Sequence, residues 1–150
     1  FKGGIIWWNV LDGWPQISDA VVDYYFTKKL AYGYIKRSQQ SVALVMKEEG
    51  DKAVLVGIND TAVEERISYT VTDLYTGKRV LSGYATLSPR FAKEIAALDD
   101  PKTDKIFYLM EWSDGKEKSS NHFHTHIKNV DYRKYVSAMR KAGYDEREGF

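Results

Sequence analysis

The sequence contains no cysteine, which removes disulfide scaffolds, thiolate metal sites and a cysteine nucleophile together. That absence leaves the compartment open. No run of about 18 apolar residues occurs, so no transmembrane helix and no membrane partner are expected. The opening Phe1-Lys2-Gly3-Gly4 lacks a basic leader followed by a small-residue cleavage site. Neither sign of charge prevails: 22 Lys and Arg face 21 Asp and Glu, a formal net charge of +1. A nucleic-acid partner would call for a basic excess or stripe, so none is expected, and a neutral partner is easier to accommodate. Also missing are a glycine-rich phosphate loop ahead of a helix, a G-x-S-x-G nucleophile elbow and any internal repeat. Gly3-Gly4 precedes an apolar segment, on the wrong side for holding phosphate. At 150 residues the chain holds about one core with an appended element and is too short for a complete (β/α)8 barrel of roughly 250 residues.

Aromatic residues, by contrast, are abundant: 14% of the chain, with 4 Trp and 11 Tyr. Two readings follow, a large aromatic core or a surface on which sugar rings stack. Gly3-Gly4-Ile5-Ile6-Trp7-Trp8-Asn9 is continuously apolar and bounded by glycine, as expected of a strand buried on both faces of a parallel sheet. In such a strand Trp7 and Trp8 point to opposite faces, so one belongs to a core. Asp12-Gly13-Trp14-Pro15 supplies turn chemistry directly after it. Residues 27–38 then place Leu30, Ala31, Tyr34 and Ile35 at helical spacing, with Thr27 as the expected N-cap and Lys36-Arg37 complementing the C-terminal dipole.

Past Ser38 the period becomes strand-like. Residues 41–46 and 53–58 flank Glu48-Glu49-Gly50-Asp51 as a hairpin, with its glutamates solvated. Residues 66–72 alternate, putting Ile67, Tyr69 and Val71 on one face, and Thr76-Gly77-Lys78 turns the chain into 79–85. Residues 91–98 read as a strand or a short helix. Residues 105–112 and 117–126 form a further hairpin around Ser113-Asp114-Gly115-Lys116. Short strands separated by frequent turns indicate a mainly β fold, an immunoglobulin-like β-sandwich. Residues 131–142 close the chain as an amphipathic helix, with Asp131 as N-cap and Gly143 at the C′ position. The expected organisation is an N-terminal strand, loop and helix over 1–39, a sandwich over 40–128, and a terminal helix over 129–150 packed on the sandwich or on the N-terminal part.

His122, His124 and His126 alternate, so one strand face would present three imidazoles, a spacing that can bind Zn²⁺ or Cu²⁺. No carboxylate or cysteine is locked into the pattern, and an exposed histidine-rich face near a sheet edge accounts for it equally; no metal and no other cofactor is assigned. Asp12 and Asp23 are the carboxylates in a loop context, and neither belongs to a recognisable acid/base pair of the kind glycosidic hydrolysis needs.

Gly4-Ile5-Ile6-Trp7-Trp8-Asn9-Val10-Leu11-Asp12-Gly13-Trp14-Pro15, followed by Ser18, Val22-Asp23-Tyr24-Tyr25, Lys29, Ala31-Tyr32, Tyr34 and Lys36-Arg37, resembles the last barrel strand, loop and helix of glycoside hydrolase family 2. The β-mannosidase-like and β-galactosidase-like members are the nearest in pattern. Asn59-Asp60-Thr61 and Asn121-His122-Phe123 resemble that family's C-terminal sandwich. The resemblance implies a severed (β/α)8 barrel tail joined to an accessory domain, within a parent that cleaves β-glycosidic bonds with retention through two glutamates upstream of Phe1. It implies that Trp8, Asn9, Asp12 and Trp14 line the sugar pocket, in keeping with barrel sites at the C-terminal ends of strands. Asn9 stands where relatives often have Gln and Leu11 where many have Asn, so no single sugar is implied. The partners then expected are a carbohydrate substrate and the rest of the parent chain, with oligomeric state open and a periplasmic or extracellular location favoured. A severed strand loses both neighbours, so residues 5–8 are expected to be disordered, swapped or packed in an improvised way. The alternative is a non-catalytic carbohydrate-binding sandwich whose aromatic face includes Trp8 or Trp112. A third reading makes the sandwich a structural brace or dimer contact.

Overall fold

A computed structural model describes residues 6–99, 106–125 and 131–144. Gly3 to Ile5, Lys105 and His126, which entered the expectations above, lie outside them. In chain order come α1 (Leu30–Ser38), β1 (Val42–Glu49), β2 (Lys52–Asn59), β3 (Glu65–Asp73), β4 (Arg79–Leu87), β5 (Phe91–Asp99), β6 (Phe107–Ser113), β7 (Lys118–His124) and α2 (Tyr132–Lys141). The segment 91–98, left between strand and helix, is a strand. All ladders are antiparallel, in a three-stranded sheet ordered β1-β2-β5 and a four-stranded sheet ordered β4-β3-β6-β7. This is the expected β-sandwich.

Hairpin register follows from turn chemistry. Glu49 pairs with Lys52 across Gly50 and Asp51, and Gly50 at φ 59 takes the left-handed conformation such a tight turn requires. Strand alternation then sorts the side chains. Ile67, Tyr69 and Val71 of β3 are buried together with Leu44, Leu55, Leu87, Met110 and Trp112 in the core between the sheets. Gly83, paired with Tyr69, leaves room for its ring: a Cβ there would lie 3.1 Å from the phenol oxygen. At the β1/β7 edge, Asn121 Nδ2 donates to the Leu44 carbonyl at 3.1 Å and ties the two sheets together.

β6 is buried on both faces from Phe107 to Met110. Tyr108, Met110 and Trp112 point into the sandwich, whereas Phe107 and Leu109 join Ala138, Met139 and Tyr144 in a second cluster under α2. This double burial is why 105–112 reads as a continuous apolar run rather than an alternating one. Asp131 caps α2 as expected, accepting from the amides of Arg133 and Lys134, and Gly143 at φ 74 ends it.

Two N-terminal expectations are corrected. Residues 6–9 form no strand. Among the described residues no strand stands beside them, as expected of a severed strand, and the following backbone pairs with its own loop instead, Val21 N–H to Asn9 O at 3.2 Å and Val22 N–H to Val10 O at 2.9 Å. The helix begins at Leu30 with Lys29 at the N-cap and no side-chain cap, not at Thr27. The chain is still extended at Lys28, which bridges to Val22, and the Thr27 amide is taken by Asp23 Oδ1 at 2.8 Å. α1 rests on β7 chiefly through Tyr34, while Leu30 is exposed.

Candidate functional site

The loop between residue 9 and α1 is organised by two carboxylates. Asp12 is buried at 1% exposure. Its Oδ1 accepts from Gln16 Nε2 at 3.0 Å and from the Ser18 hydroxyl, and its Oδ2 pairs with Lys29 Nζ at 3.0 Å. Lys29 Nζ also donates to Ser18 O at 3.1 Å. The Ser18 hydroxyl foremost, then the Lys29 ammonium and the Gln16 amide, hold the Asp12 carboxyl below its ordinary value of 3.8. Asp23 Oδ1 accepts from the amides of Tyr25 and Thr27 at 2.9 and 2.8 Å, closing a turn in which Phe26 sits at φ 65.

Asp12 therefore works from inside the loop. With three donors on its two oxygens and 1% of its surface exposed, it is not presented to a substrate for proton transfer. Its effect is to fold 12–18 back against 20–22 and hold Gly13-Trp14-Pro15 outward. Trp14 is 64% exposed and Trp8 80%, and Asn9 lies half-buried between Trp8 and the paired backbone. The Trp8–Asn9 peptide is cis. Trp7 was expected as core if Trp8 faces outward; it is instead 39% exposed, leaning into a groove of about 270 Å³ shared with Val10, Val21, Tyr32 and Ile35. It has no sheet interior to enter. Sequence reasoning placed no role on Gln16, and Lys29 reaches Asp12 across 17 positions, a separation that carries no periodic signal.

The histidines do not form an exposed face. His122 and His124 project on the outer side of the four-stranded sheet, opposite Leu109 and Phe107, and the helices cover them. His122 meets the Tyr34 ring edge-on at 5.1 Å and the Tyr144 ring at 5.2 Å; His124 Nε2 bonds the Tyr75 hydroxyl at 2.8 Å. His122 Nδ1 is buried with no hydrogen-bond partner among the described residues. Burial foremost, then the Arg37 cation and His124, push the His122 pKa down to about 4. His126 lies outside the described residues, among which no group of three His, Cys, Asp or Glu stands together. Trp112, the alternative sugar platform, is 5% exposed in the inter-sheet core, because its even position on β6 faces the other sheet.

No protein-family model and no curated protein sequence matches the chain. Among solved structures, a β-D-mannosidase from Dictyoglomus thermophilum is similar over 77% of this chain, with a TM-score of 0.63 and 22% identity. The likeness is one of fold. This chain covers 15% of the length of that β-D-mannosidase, so the match is to a segment of it. The sandwich expected from the strand pattern is thus an architecture that occurs within a glycosidase.

Proposed function

We propose that this chain is part of a larger retaining β-glycosidase, in which it supplies a wall of the sugar pocket and an accessory sandwich, the catalytic glutamates coming from polypeptide outside these 150 residues. The observation that carries this reading is the outward pair Trp8 and Trp14, held by a loop whose anchor is the buried Asp12 carboxylate paired with the half-buried Lys29. A protein does not gain stability by exposing two indoles, but a sugar ring can bury them on its apolar face. Asn9 beside Trp8 adds amide hydrogen-bonding capacity. The shared fold with a segment of a β-D-mannosidase supports the same reading, as does the commitment of Asp12 and of Asp23 Oδ1 to loop contacts. In this reading residues 1–39 belong with the catalytic barrel, 40–128 form the accessory sandwich, and 129–150 pack on the sandwich or the barrel.

Two measurements test this. Purified chain offered aryl β-mannosides and β-galactosides should give no turnover, and hydrolysis would overturn the reading. In the longer polypeptide, Trp8→Ala should lower kcat/KM by about tenfold or more, the loss of one stacking contact of about 1.5 kcal/mol. Unchanged kinetics would remove Trp8 from the pocket.

A further inference from the structure

The outer face of the four-stranded sheet is divided in two. One half, with Phe107, Leu109, His122 and His124, lies under the helices. The other half is bare, except that Ser120 borders the covered half beside the Tyr144 hydroxyl. Cross-strand pairing sets Tyr84, Ser68, Ser113 and Lys118 side by side in one row, and Ser82, Thr70, Glu111 and Ser120 in the next. At a strand spacing of about 4.8 Å these rows run roughly 14 Å across the sheet.

The composition of that half is unlike a surface shaped only for solubility. Six hydroxyl side chains, Ser68, Thr70, Ser82, Thr86, Ser113 and Ser120, occupy outward positions, and the ring of Tyr84 stands 88% exposed among them. Directly across from Tyr84 is Ser68, which offers the ring no apolar partner, so the aromatic adds little to sheet stability. Two grooves flank the first row. One, of about 260 Å³, is lined by Ser68, Thr70, Glu111, Ser113 and Lys118 among others; the second, of about 350 Å³, includes Arg66, Ser68, Tyr84, Thr86, Ser113 and Asp114. They meet at Ser68 and Ser113. Ser113 Oγ accepts from the Gly115 amide at 3.0 Å, which leaves its proton to donate outward.

We propose that this bare half-sheet is a second carbohydrate-binding face, separate from Trp8 and Trp14, on which Tyr84 carries one sugar ring and the hydroxyl rows bind an oligosaccharide along the trough. The charges select that ligand. Arg66 and Lys118 are balanced by Glu111 and Asp114, so the trough has no net attraction for a polyanion, yet it offers hydroxyls that can both donate and accept, which a neutral polyol matches and a phosphate backbone does not. The face lies in the sandwich, so it would hold polysaccharide wherever the pocket wall stands, and the proposal does not depend on the glycosidase reading.

The test is titration of the ¹⁵N-labelled 150-residue chain with mannohexaose, cellohexaose and xylohexaose, following amide shifts. Saturable shifts with at least one of them, centred on residues 66–70, 82–86 and 111–118, are expected. Tyr84→Ala should weaken binding at least tenfold with an unchanged melting temperature, as the ring is exposed; Tyr84→Phe should retain binding. Absence of saturable binding to all three sugars, shifts confined to residues 7–14, or an affinity for Tyr84→Ala within twofold of wild type would each overturn the proposal.

Discussion

Acid should weaken this protein through one buried imidazole. His122 lies between Tyr34 and Arg37 of α1, His124 on its own strand, Phe107 of β6, and Tyr144 just beyond α2. Arg37 stacks over the rings of Tyr34 and Tyr144 at 4.9 and 4.1 Å, so a proton on His122 would place a second cation beside a fixed one. The folded pKa is lowered from 6.5 to about 4. Above pH 6.5 both folded and unfolded chains carry neutral His122, and its full contribution to stability is present. As pH falls from 6.5 towards 4, the unfolded chain takes up a proton that the folded chain refuses, and stability declines by up to 1.36 kcal/mol per pH unit. The whole window amounts to roughly 3 kcal/mol, a large share of the margin of a small domain. With a urea m-value of about 2 kcal/mol/M, the midpoint should drop by about 1 M or more between pH 7 and pH 4.5.

Replacing the imidazole with an apolar ring isolates the effect. His122→Phe keeps the aromatic contacts, removes the buried Nδ1 that has no partner among the described residues, and costs at most about 1 kcal/mol of overpacking at pH 7. Urea unfolding of wild type and variant across pH 7 to 4 should show the midpoint falling with acidity by about 1 M less in the variant than in the wild type. Hydrogen exchange should place the loss first in the amides of α1 and α2, which the cluster joins to the sheet. Parallel curves for the two proteins would refute the assignment of the acid-sensitive step to His122.

Asn59 is fully buried, donating to Val63 O at 2.8 Å and Leu87 O at 3.0 Å and accepting from the amide and hydroxyl of Thr61 at 2.9 and 2.7 Å. Asn59→Ala strips partners from buried carbonyls and should cost about 2–4 kcal/mol in a urea midpoint, with Asn59→Leu no better. Loss below about 0.5 kcal/mol would mean water replaces the amide. For the N-terminal loop, Asp12→Ala should speed limited proteolysis within residues 13–28 about tenfold at pH 7 while leaving strand amides protected. In the wild type the same opening should appear only as pH falls below about 4, because a carboxyl held below 3.8 gives its stabilisation above that value and loses it on protonation. Opening that begins already near pH 6 would contradict the anchoring role.

Alternation along a strand and capping at a helix end are local, and the sequence carried them. Ile67, Tyr69 and Val71 share a buried face, Asp131 caps α2, and Gly50, Gly77 and Gly143 adopt the positive φ their turns need. What a chain read in one dimension does not hold is which strand lies beside which and what covers each face. The spacing of His122 and His124 correctly puts both on one side of β7, but only the packing of α1 and α2 turns that side from a metal-ready surface into a dry aromatic cage. Trp112 is equally ambiguous in sequence, since a strand buried on both faces shows no alternation, and only the pairing with Tyr69 sends it inward. The Asp12–Lys29 pair spans 17 positions of irregular loop, where no period predicts a contact. Local composition determined the elements of this protein, whereas long-range packing, which pairs residues without regard to their separation along the chain, decided which aromatic and titratable groups face water.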